Sequence, residues 1–301
     1  MIEDALSRAI LVAHAGSLIS LLHDDLAPGF TANTGYAVTR RPGPAVGLAN
    51  LILTNALAPD VYMSADAETN RLLMGSAGEN KVRWFFGCAR SRMVLAYSPR
   101  SRFKAELDAA ATGQKPWHEV LQLPDLVLKR SDPHSDPGGY RSIFVLQLAE
   151  QYYQLPGLKE RILQGDENEA QLLRAAPNLL DGSVDAMLLY VTSALEYGLP
   201  YIQLPDEIDL SNPAMTDRYR SAHYTNPHGQ RFYGTPATYS VTIPVAAANP
   251  AGAVDFVAYL FSAAGRSALH RHGFAATGAL LGGDVDAVPT PLRSLIAAHY
   301  P

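Results

Sequence analysis

The chain has 301 residues, 48% of them hydrophobic and 18% charged, which is typical of a globular protein long enough for two domains. The formal net charge is −5 and lysine and arginine form no basic stripe, so the sequence argues against nucleic acid as a partner. No apolar run reaches the ~18 residues that a membrane-spanning helix needs.

The start of the chain lacks the basic segment, the long apolar segment and the cleavage site of a leader peptide. If the protein is exported, we expect its leader to have been removed before this sequence begins. The one cysteine, Cys88, cannot form an internal disulfide, and no Cys or His spacing indicates a metal site. Because Cys88 lies beside a strand-like apolar run, we expect a buried thiol.

The first half of the chain alternates short apolar strands with amphipathic helices. A strand in ILVAHA precedes a turn at residues 15–17 and then a leucine-striped helix. APDVYMSADAETNRLL repeats this order of strand, polar turn and helix, and RMVLAYSP is a further strand. PDLVLKR predicts a strand before the turn-rich segment KRSDPHSDPGGYRS, and SIFVLQLAEQYYQL predicts a helix after it.

The second half continues the alternation, with a helix in NEAQLLRAAPNLLDG, a strand in DAMLLYV, a helix in TSALEYG and a strand in YIQLP. Residues 211–237 read as an irregular excursion before the strand TYSVTIPVA. A helix pair then begins at Asn249 and stops at Gly273, and AVPTPLRSLIAAHY predicts a closing helix. The pattern predicts an α/β protein with mainly parallel central sheets flanked by helices.

Polar residues follow several of the predicted strands, among them Ser17, Ser64 and the turn at residues 137–140. Ligands of open parallel sheets bind beyond the carboxyl ends of strands, where helix N-termini offer backbone N–H groups. Several such turns together would suit a small oxyanion. Each residue is also a common helix N-cap, so the pattern leaves capping and ligand contact both open.

In chain order, the segments VAHAGSL, APDVYMSAD, ARSRMVLAYSPRS, RSDPHSDPGGYRS with LQLAEQYY, DGSVDAMLLYVTSALEYGLPYIQLPDEIDLS and YSVTIP resemble the tungstate/molybdate-binding proteins of ABC importers. The archaeal-type group is the more similar one, and SDPGGYRS and LPDEIDLS are the most specific pieces. The resemblance implies a type II periplasmic-binding-protein fold, with two α/β lobes and a ligand in the cleft between them. It implies one lobe of residues 1–92 plus 236–301, a second of residues 93–235, and hinge strands near residues 92–98 and 237–244.

The resemblance also implies a ligand site. Ser17 matches a ligand-contacting turn of the family, Asp136 matches a carboxylate that approaches the metal of the oxyanion, and Tyr190 matches a tyrosine whose hydroxyl reaches the anion. Ser64 and Asp66 lie at the corresponding turn of the first lobe. The ligand-binding residues implied in this way are Gly16, Ser17, Ala45, Ser64, Asp66, Asp136, Gly139, Tyr140 and Tyr190, with Asp136 and Glu169 as candidate contacts to the metal.

Three positions depart from the family pattern. The usual Gly-Ser-Ala turn has Pro44 in place of the serine, which removes a hydroxyl and an N–H donor. The place of a second carboxylate holds leucine, with Glu169 about one turn upstream, and Val191 replaces a frequent lysine. A carboxylate beside a dianion is repulsive unless it coordinates the metal or is protonated. With the second carboxylate missing, several ligands stay open: four-coordinate molybdate or tungstate, sulfate, phosphate and a small organic acid.

The predicted function is that of a solute-binding protein, periplasmic or extracellular and membrane-associated, which captures molybdate or tungstate and delivers it to ABC permease subunits. No cofactor is expected beyond this ligand. The alternatives are another anion bound by the same fold and a cytosolic anion sensor. An enzyme is not predicted, because the sequence has no GxSxG, HExxH or P-loop motif.

Overall fold

The computed structural model describes residues 8–75, 80–163, 175–227 and 229–300. The chain divides into two compact units, one of Met1–Arg90 with Thr238–Pro301 and the other of Ser91–Ala237. The lobe boundaries and hinge strands implied by the resemblance stay predictions.

The strands are named in chain order. They are β1 (Ala9–Ala15), β2 (Ala37–Gly43), β3 (Val61–Ser64), β4 (Trp84–Arg90), β5 (Met93–Tyr97), β6 (Leu128–Lys129), β7 (Ala186–Tyr190), β8 (Tyr201–Gln203), β9 (His223–Thr225), β10 (Arg231–Tyr233), β11 (Thr238–Thr242), β12 (Ala275–Gly283) and β13 (Ile296–His299).

The α-helices are named in the same way. They are α1 (Ala27–Thr34), α2 (Ala45–Leu53), α3 (Glu68–Met74), α4 (Lys104–Ala111), α5 (Trp117–Val120), α6 (Pro137–Tyr153), α7 (Leu158–Ile162), α8 (Ala175–Asp181), α9 (Val191–Glu196), α10 (Thr216–Tyr219), α11 (Pro250–Phe261), α12 (Ala263–Arg271) and α13 (Thr290–Arg293). Short 3-10 turns lie at Gly16–Leu18, Pro213–Met215 and Val285–Ala287, and a π-helical turn lies at Leu21–Leu26.

The first unit is built on a seven-stranded sheet of order β13-β12-β4-β11-β3-β1-β2. Strand β1 pairs in parallel with both β2 and β3, because α1 and α2 return the chain to the same end of the sheet between these strands. Apolar residues of α2 close one face of the sheet. The buried residues of this cluster are Ala13, Leu48, Ala49, Ile52, Tyr62, Leu73 and Val82.

The second unit holds a four-stranded sheet of order β6-β7-β5-β8 and the small β9–β10 hairpin. Strand β6 runs parallel to β7, whereas β5 runs antiparallel to β7 and β8. Helix α6, the longest of the described helices, lies against β7. The Ser142 hydroxyl of α6 donates to the Leu188 carbonyl oxygen of β7, 3.2 Å away. The core of this unit includes Val94, Ala96, Leu179, Val184, Met187, Leu189, Ala194 and Leu199.

The prediction of mainly parallel sheets is wrong, because both large sheets are mixed. In the first unit β11 is antiparallel to β3 and β4, and β12 is antiparallel to β4. Strand β11 returns from the second unit rather than through a covering helix, so the parallel crossover rule does not apply to it. The sequence predicted the alternation of strands and helices correctly, but it did not predict the directions of the strands.

Two further segments differ from the sequence prediction. The tail forms only the single helical turn α13 and then the strand β13, which pairs in parallel with β12. The excursion at residues 211–237 contains α10 and the β9–β10 hairpin. The helix pair α11 and α12 is confirmed, with the Asn249 side chain accepting from the Gly252 N–H and Gly273 at φ +77° just after the second helix.

The thiol of Cys88 is buried, as predicted, with 1% of the residue exposed. Its Sγ donates to the Tyr239 carbonyl oxygen, 3.4 Å away, and burial raises the pKa of the thiol to about 12. We therefore expect the native protein not to react with a thiol reagent such as Ellman's reagent at neutral pH, because the thiolate is the reacting form. The denatured chain should release one equivalent, and rapid labelling of the native protein would contradict this assignment.

Candidate functional site

Three turns of the first unit meet at one end of its sheet. Strands β2, β1 and β3 are adjacent and parallel, and Ala15 at the end of β1 pairs with Gly43 at the end of β2. The residues that follow these strands are Gly16 and Ser17, then Pro44 and Ala45, then Ala65 and Asp66. The structure thus brings all the sequence-predicted residues of this unit to the same edge of the sheet, where open α/β proteins bind ligands.

The Ser17 hydroxyl is held by a residue that the sequence analysis missed. The Tyr239 hydroxyl, at the start of β11, donates to Ser17 Oγ at 2.9 Å. Because Ser17 Oγ accepts this bond, its own proton points away from Tyr239. A side chain added at Gly16 would meet nothing within 4 Å inside the molecule, so the turn faces open space. Ser17 is thereby set up as a donor at this edge of the sheet.

Ala45 is the first residue of α2, and Pro44 is its N-cap. The first N–H groups of a helix have no intrahelical acceptor, so Ala45 offers a backbone donor rather than a side chain. The Ala45 carbonyl accepts from the buried Tyr62 hydroxyl at 2.7 Å, which fixes the turn to β3. Because residue 44 is proline, this helix start lacks the serine hydroxyl that the family turn usually has.

The Ser64 and Asp66 side chains form contacts within their own turn. Ser64 Oγ lies 2.6 Å from Thr69 Oγ1 and accepts from the Asp66 N–H at 3.0 Å. The Asp66 carboxylate accepts from the Glu68 N–H, also at 3.0 Å, and both residues are buried. These bonds stabilise the start of α3, so a structural role explains both residues and their ligand role stays a prediction.

In the second unit, Asp136 is the N-cap of α6. Its Oδ1 accepts from the Gly138 N–H at 3.0 Å, and Pro137 occupies the first helical position, where its missing N–H costs nothing. Burial raises the pKa of the Asp136 carboxyl above its ordinary value, while the bonds from Gly138 and Ser131 and the charge of Arg141 oppose this rise. Capping is thus shown, and the contact to a bound metal centre stays a prediction.

Gly139 and Tyr140 follow within the same turn. Their N–H groups both point at the Asp136 carbonyl oxygen, 3.0 and 3.4 Å away. The Tyr140 ring is fully buried and stacks on Phe232, with centroids 4.6 Å apart and planes 12° from parallel. This packing fixes the β9–β10 hairpin against α6, so Tyr140 has a clear structural role and its ligand role stays a prediction.

Tyr190 ends β7 and is brought to the same end of the sheet as the Asp136 turn, because β6 and β7 are parallel. Its hydroxyl oxygen accepts from Arg141 Nη1 at 3.3 Å, and the guanidinium carbon lies 5.9 Å from the centre of the Tyr190 ring. Arg141 is fully buried. The second unit therefore joins a carboxylate, a phenol and a guanidinium at one place.

Arg141 and Tyr239 were both present in segments that carried the family resemblance, yet neither was identified as a functional candidate. An arginine two residues before the apolar run IFVLQLA was the signal for Arg141, since a buried arginine requires polar partners. Glu169 lies outside the described residues. Within the described part of the chain, no three His, Cys, Asp or Glu side chains are placed to hold a metal ion together.

Comparison with solved structures defines the class of fold. The periplasmic molybdate-binding protein of Azotobacter vinelandii aligns over 88% of this chain and 98% of its own, with a TM-score of 0.61 and 18% identity. At that identity the likeness shows the fold, which is the predicted α/β fold of the two-lobed periplasmic binding proteins. No helix among the described residues is both long and apolar enough to cross a membrane.

The family model described as bacterial extracellular solute-binding protein matches residues 10–275, so the chain belongs to this family. A solute-binding protein of Methanoculleus marisnigri is 31% identical over 95% of this chain and 86% of its own length. A candidate ABC transporter molybdenum-binding protein of Haloferax volcanii is 31% identical, over 80% of this chain and 73% of its own. A molybdate/tungstate-binding protein of Pyrococcus abyssi is 26% identical over 85% and 81%. The resemblance noted from the motifs is thereby confirmed.

Proposed function

We propose that this protein is the extracytoplasmic solute-binding component of an ABC transporter, which captures molybdate or tungstate between its two units and delivers it to a membrane permease. The family membership and the names of the relatives support the class of ligand. The observation that carries the proposal is the donor set at the sheet edge of each unit. Ser17 and the start of α2 supply donors from the first unit, and the Tyr190 hydroxyl, at the end of β7, is the candidate group of the second.

The chemistry of such a site is binding without bond breaking. Closure of two units on an oxyanion would replace its water shell by O–H and N–H dipoles of the protein. The free-energy cost of reorganising these dipoles is small, because the fold already orients them. The Asp136 carboxyl is compatible with a bound dianion if it coordinates the central metal or takes up a proton, and its raised pKa favours protonation. The proposal assigns no catalytic step to the protein.

Calorimetric titration with molybdate, tungstate, sulfate and phosphate tests the proposal. We expect molybdate and tungstate to bind and to raise the melting temperature. Ser17→Ala should weaken binding by about tenfold or more, since a hydrogen bond to a charged group is worth about 1.5–3 kcal/mol. Ser183→Ala is the matched control, because the described contacts of the Ser183 hydroxyl lie within its own turn, at Asn178 and Asp181. A preference for sulfate or phosphate would assign another anion, and no heat with any of them would contradict the oxyanion function.

The coordination of the bound metal gives a second readout of the same titration. X-ray absorption at the molybdenum edge distinguishes a tetrahedral from a six-coordinate centre. If Asp136 is a metal ligand, Asp136→Asn should change the spectrum of the complex. If Asp136 is only the cap of α6, the spectrum should stay tetrahedral in both proteins, and the variant should fold and bind as the wild type does, because asparagine caps a helix about as well as aspartate.

A further inference from the structure

The start of helix α2 leaves two backbone donors unpaired in a buried place. Pro44 is the N-cap and supplies no side-chain acceptor, and the Leu48 N–H donates to the Pro44 carbonyl oxygen at 2.8 Å. Among the described residues, no group accepts a hydrogen bond from the N–H of Ala45 or of Val46, although both residues are buried. Buried N–H groups are almost always paired, so these two require an acceptor such as a bound anion or an ordered water.

The Tyr62 hydroxyl holds the same helix start from inside the first unit. It donates to the Ala45 carbonyl oxygen at 2.7 Å, and Tyr62 is fully buried in β3. A carbonyl oxygen only accepts, so the phenol proton must lie on this bond. Burial raises the pKa of Tyr62 to about 12, so the phenol keeps this proton throughout the neutral range. A phenylalanine would fill nearly the same volume, so core packing alone does not explain the hydroxyl.

The bond to the Ala45 carbonyl also determines the direction of the next N–H group. The Ala45 carbonyl and the Val46 N–H belong to one peptide unit, which is planar and trans, so the two groups point in opposite directions. A bond that holds the carbonyl toward Tyr62 therefore holds the Val46 N–H on the side away from Tyr62. The N–H groups of a first helical turn have no intrahelical acceptor, so Tyr62 orients a free backbone donor.

The other hydroxyls beside Tyr62 are engaged within their own turn. Thr69 Oγ1 donates to the Asp66 carbonyl oxygen at 2.7 Å, so in its 2.6 Å contact with Ser64 it is the acceptor and Ser64 is the donor. The Tyr62 oxygen lies 3.5 Å from Thr69 Oγ1, farther than from the Ala45 carbonyl oxygen. The Ser64 proton is therefore used inside its turn, and the N–H groups of α2 are the available donors next to it.

We propose that Tyr62 is a positioning residue of the oxyanion site, which holds the first peptide unit of α2 so that the Val46 N–H points outward as a donor to the bound anion. This inference rests on the proposed oxyanion binding and deepens it. It names a backbone donor that the Pro44 turn leaves unpaired and the side chain that orients it. Because Tyr62 is fully buried, it acts through Val46 and does not touch the anion itself.

A spectroscopic readout isolates this role. Alanine is followed directly by valine in four places of the sequence, at Val38, Val46, Val254 and Val288. Protein labelled with NMR isotopes at the alanine carbonyl carbons and the valine amide nitrogens gives one HNCO signal for each place. The signal of Val46 reports both its own N–H and the Ala45 carbonyl. We expect saturating molybdate to move the Val46 amide proton downfield and to leave the Val254 and Val288 signals in place, because a charge-assisted hydrogen bond is short and strong.

Tyr62→Phe is the test variant. In the free protein, the signal of the Ala45 carbonyl carbon should move upfield, because the carbonyl loses a hydrogen-bond donor. Molybdate affinity should fall by about tenfold, the effect of one weakened hydrogen bond to a charged group. Tyr97→Phe is the matched control, since Tyr97 is also a buried strand tyrosine and its hydroxyl donates to Asp108 in the second unit at 2.9 Å. This control should change neither the affinity nor the Val46 signal.

Val46→Pro removes the proposed donor itself and carries the test if Tyr62→Phe does not fold. Proline lacks the N–H and is tolerated in the first turn of a helix, as shown by Pro28 in α1 and Pro291 in α13. We expect this variant to lose about tenfold in molybdate affinity as well. Unchanged affinity of the folded variant would overturn the inference.

The outcomes separate this inference from the proposed function. If the wild-type protein gives neither heat nor a spectral change with molybdate, the proposed function fails and the role of Tyr62 fails with it. If the wild-type protein binds molybdate but its Val46 signal stays in place, the function stands and the role of Tyr62 is overturned. A Tyr62→Phe protein that loses stability but keeps the wild-type affinity would overturn it as well, because the hydroxyl would then serve the core alone.

Discussion

Replacing Gly139 with alanine should destabilise the protein by about 2 kcal/mol or more, a large effect for one methyl group. A Cβ at this position would lie 2.4 Å from the Ser131 carbonyl oxygen and 2.5 Å from the backbone of Asp132 and Pro133. Backbone atoms cannot rotate away as a side chain can, so the segment before α6 would have to shift. Urea unfolding of the wild-type and variant proteins measures the difference.

The neighbouring glycine provides a control of the same chemistry. A Cβ on Gly138 would meet its nearest atom, Oδ1 of Asp136, at 3.6 Å, which is an ordinary contact. Gly138→Ala should therefore be neutral or stabilising by up to about 1 kcal/mol, because alanine loses less backbone entropy than glycine in a helix. Equal effects of the two substitutions would show that the close approach of residues 131–133 to α6 is wrong.

Lowering the pH from 7 to 4 should cost the wild-type protein about 3 kcal/mol more stability than it costs a His14→Asn variant. His14 lies in β1, is 2% exposed, and uses Nδ1 to donate to the Ala15 carbonyl at 2.9 Å. Burial, aided by the charge of Arg40, lowers the pKa of His14 to about 4 from an ordinary value of 6.5. Between pH 6.5 and pH 4, His14 therefore binds a proton in the unfolded chain but not in the native protein.

The sign follows from this difference in proton uptake. The stabilisation is complete above the unfolded pKa of about 6.5 and is lost as the pH falls toward the folded pKa of about 4. Asparagine can keep the donor to Ala15 but does not titrate, so the variant should lack this component of the pH dependence. Urea midpoints across this range measure it, with the exposed His270→Gln as control. Parallel curves for wild type and His14→Asn would contradict the assignment.

Local sequence patterns predicted many of the elements that position the site. The strand before Ser17, the strand before Ser64 and the helix after Asp136 are all where apolar periodicity and turn residues placed them. Asp136 was readable as a cap from the Asp-Pro-Gly-Gly order, because an Asp N-cap and a proline at the first helical position need only local geometry. The order of the motifs, taken as a set, was enough to indicate the family.

The contacts that orient the candidate ligand groups were not readable in this way. The Tyr239 hydroxyl meets Ser17 from 222 residues along the chain, and Arg141 meets Tyr190 from 49 residues away. Periodicity reports which face of an element is buried, but it carries no information on which distant element covers that face. The antiparallel return of β11 into the first sheet was missed for the same reason.

The sequence by itself determined the α/β class, the family and the turns at which donors occur, because these depend on residue types over short spans. Only the tertiary structure decided which donors are held in place and by what. It showed Ser64 and Asp66 in bonds of their own turn, and Tyr140 stacked on Phe232 of the distant hairpin. It also showed the Ser17 and Tyr190 hydroxyl oxygens as acceptors from Tyr239 and Arg141. The direction of a hydroxyl proton and the burial of Arg141 depend on long-range packing, which no local pattern specifies.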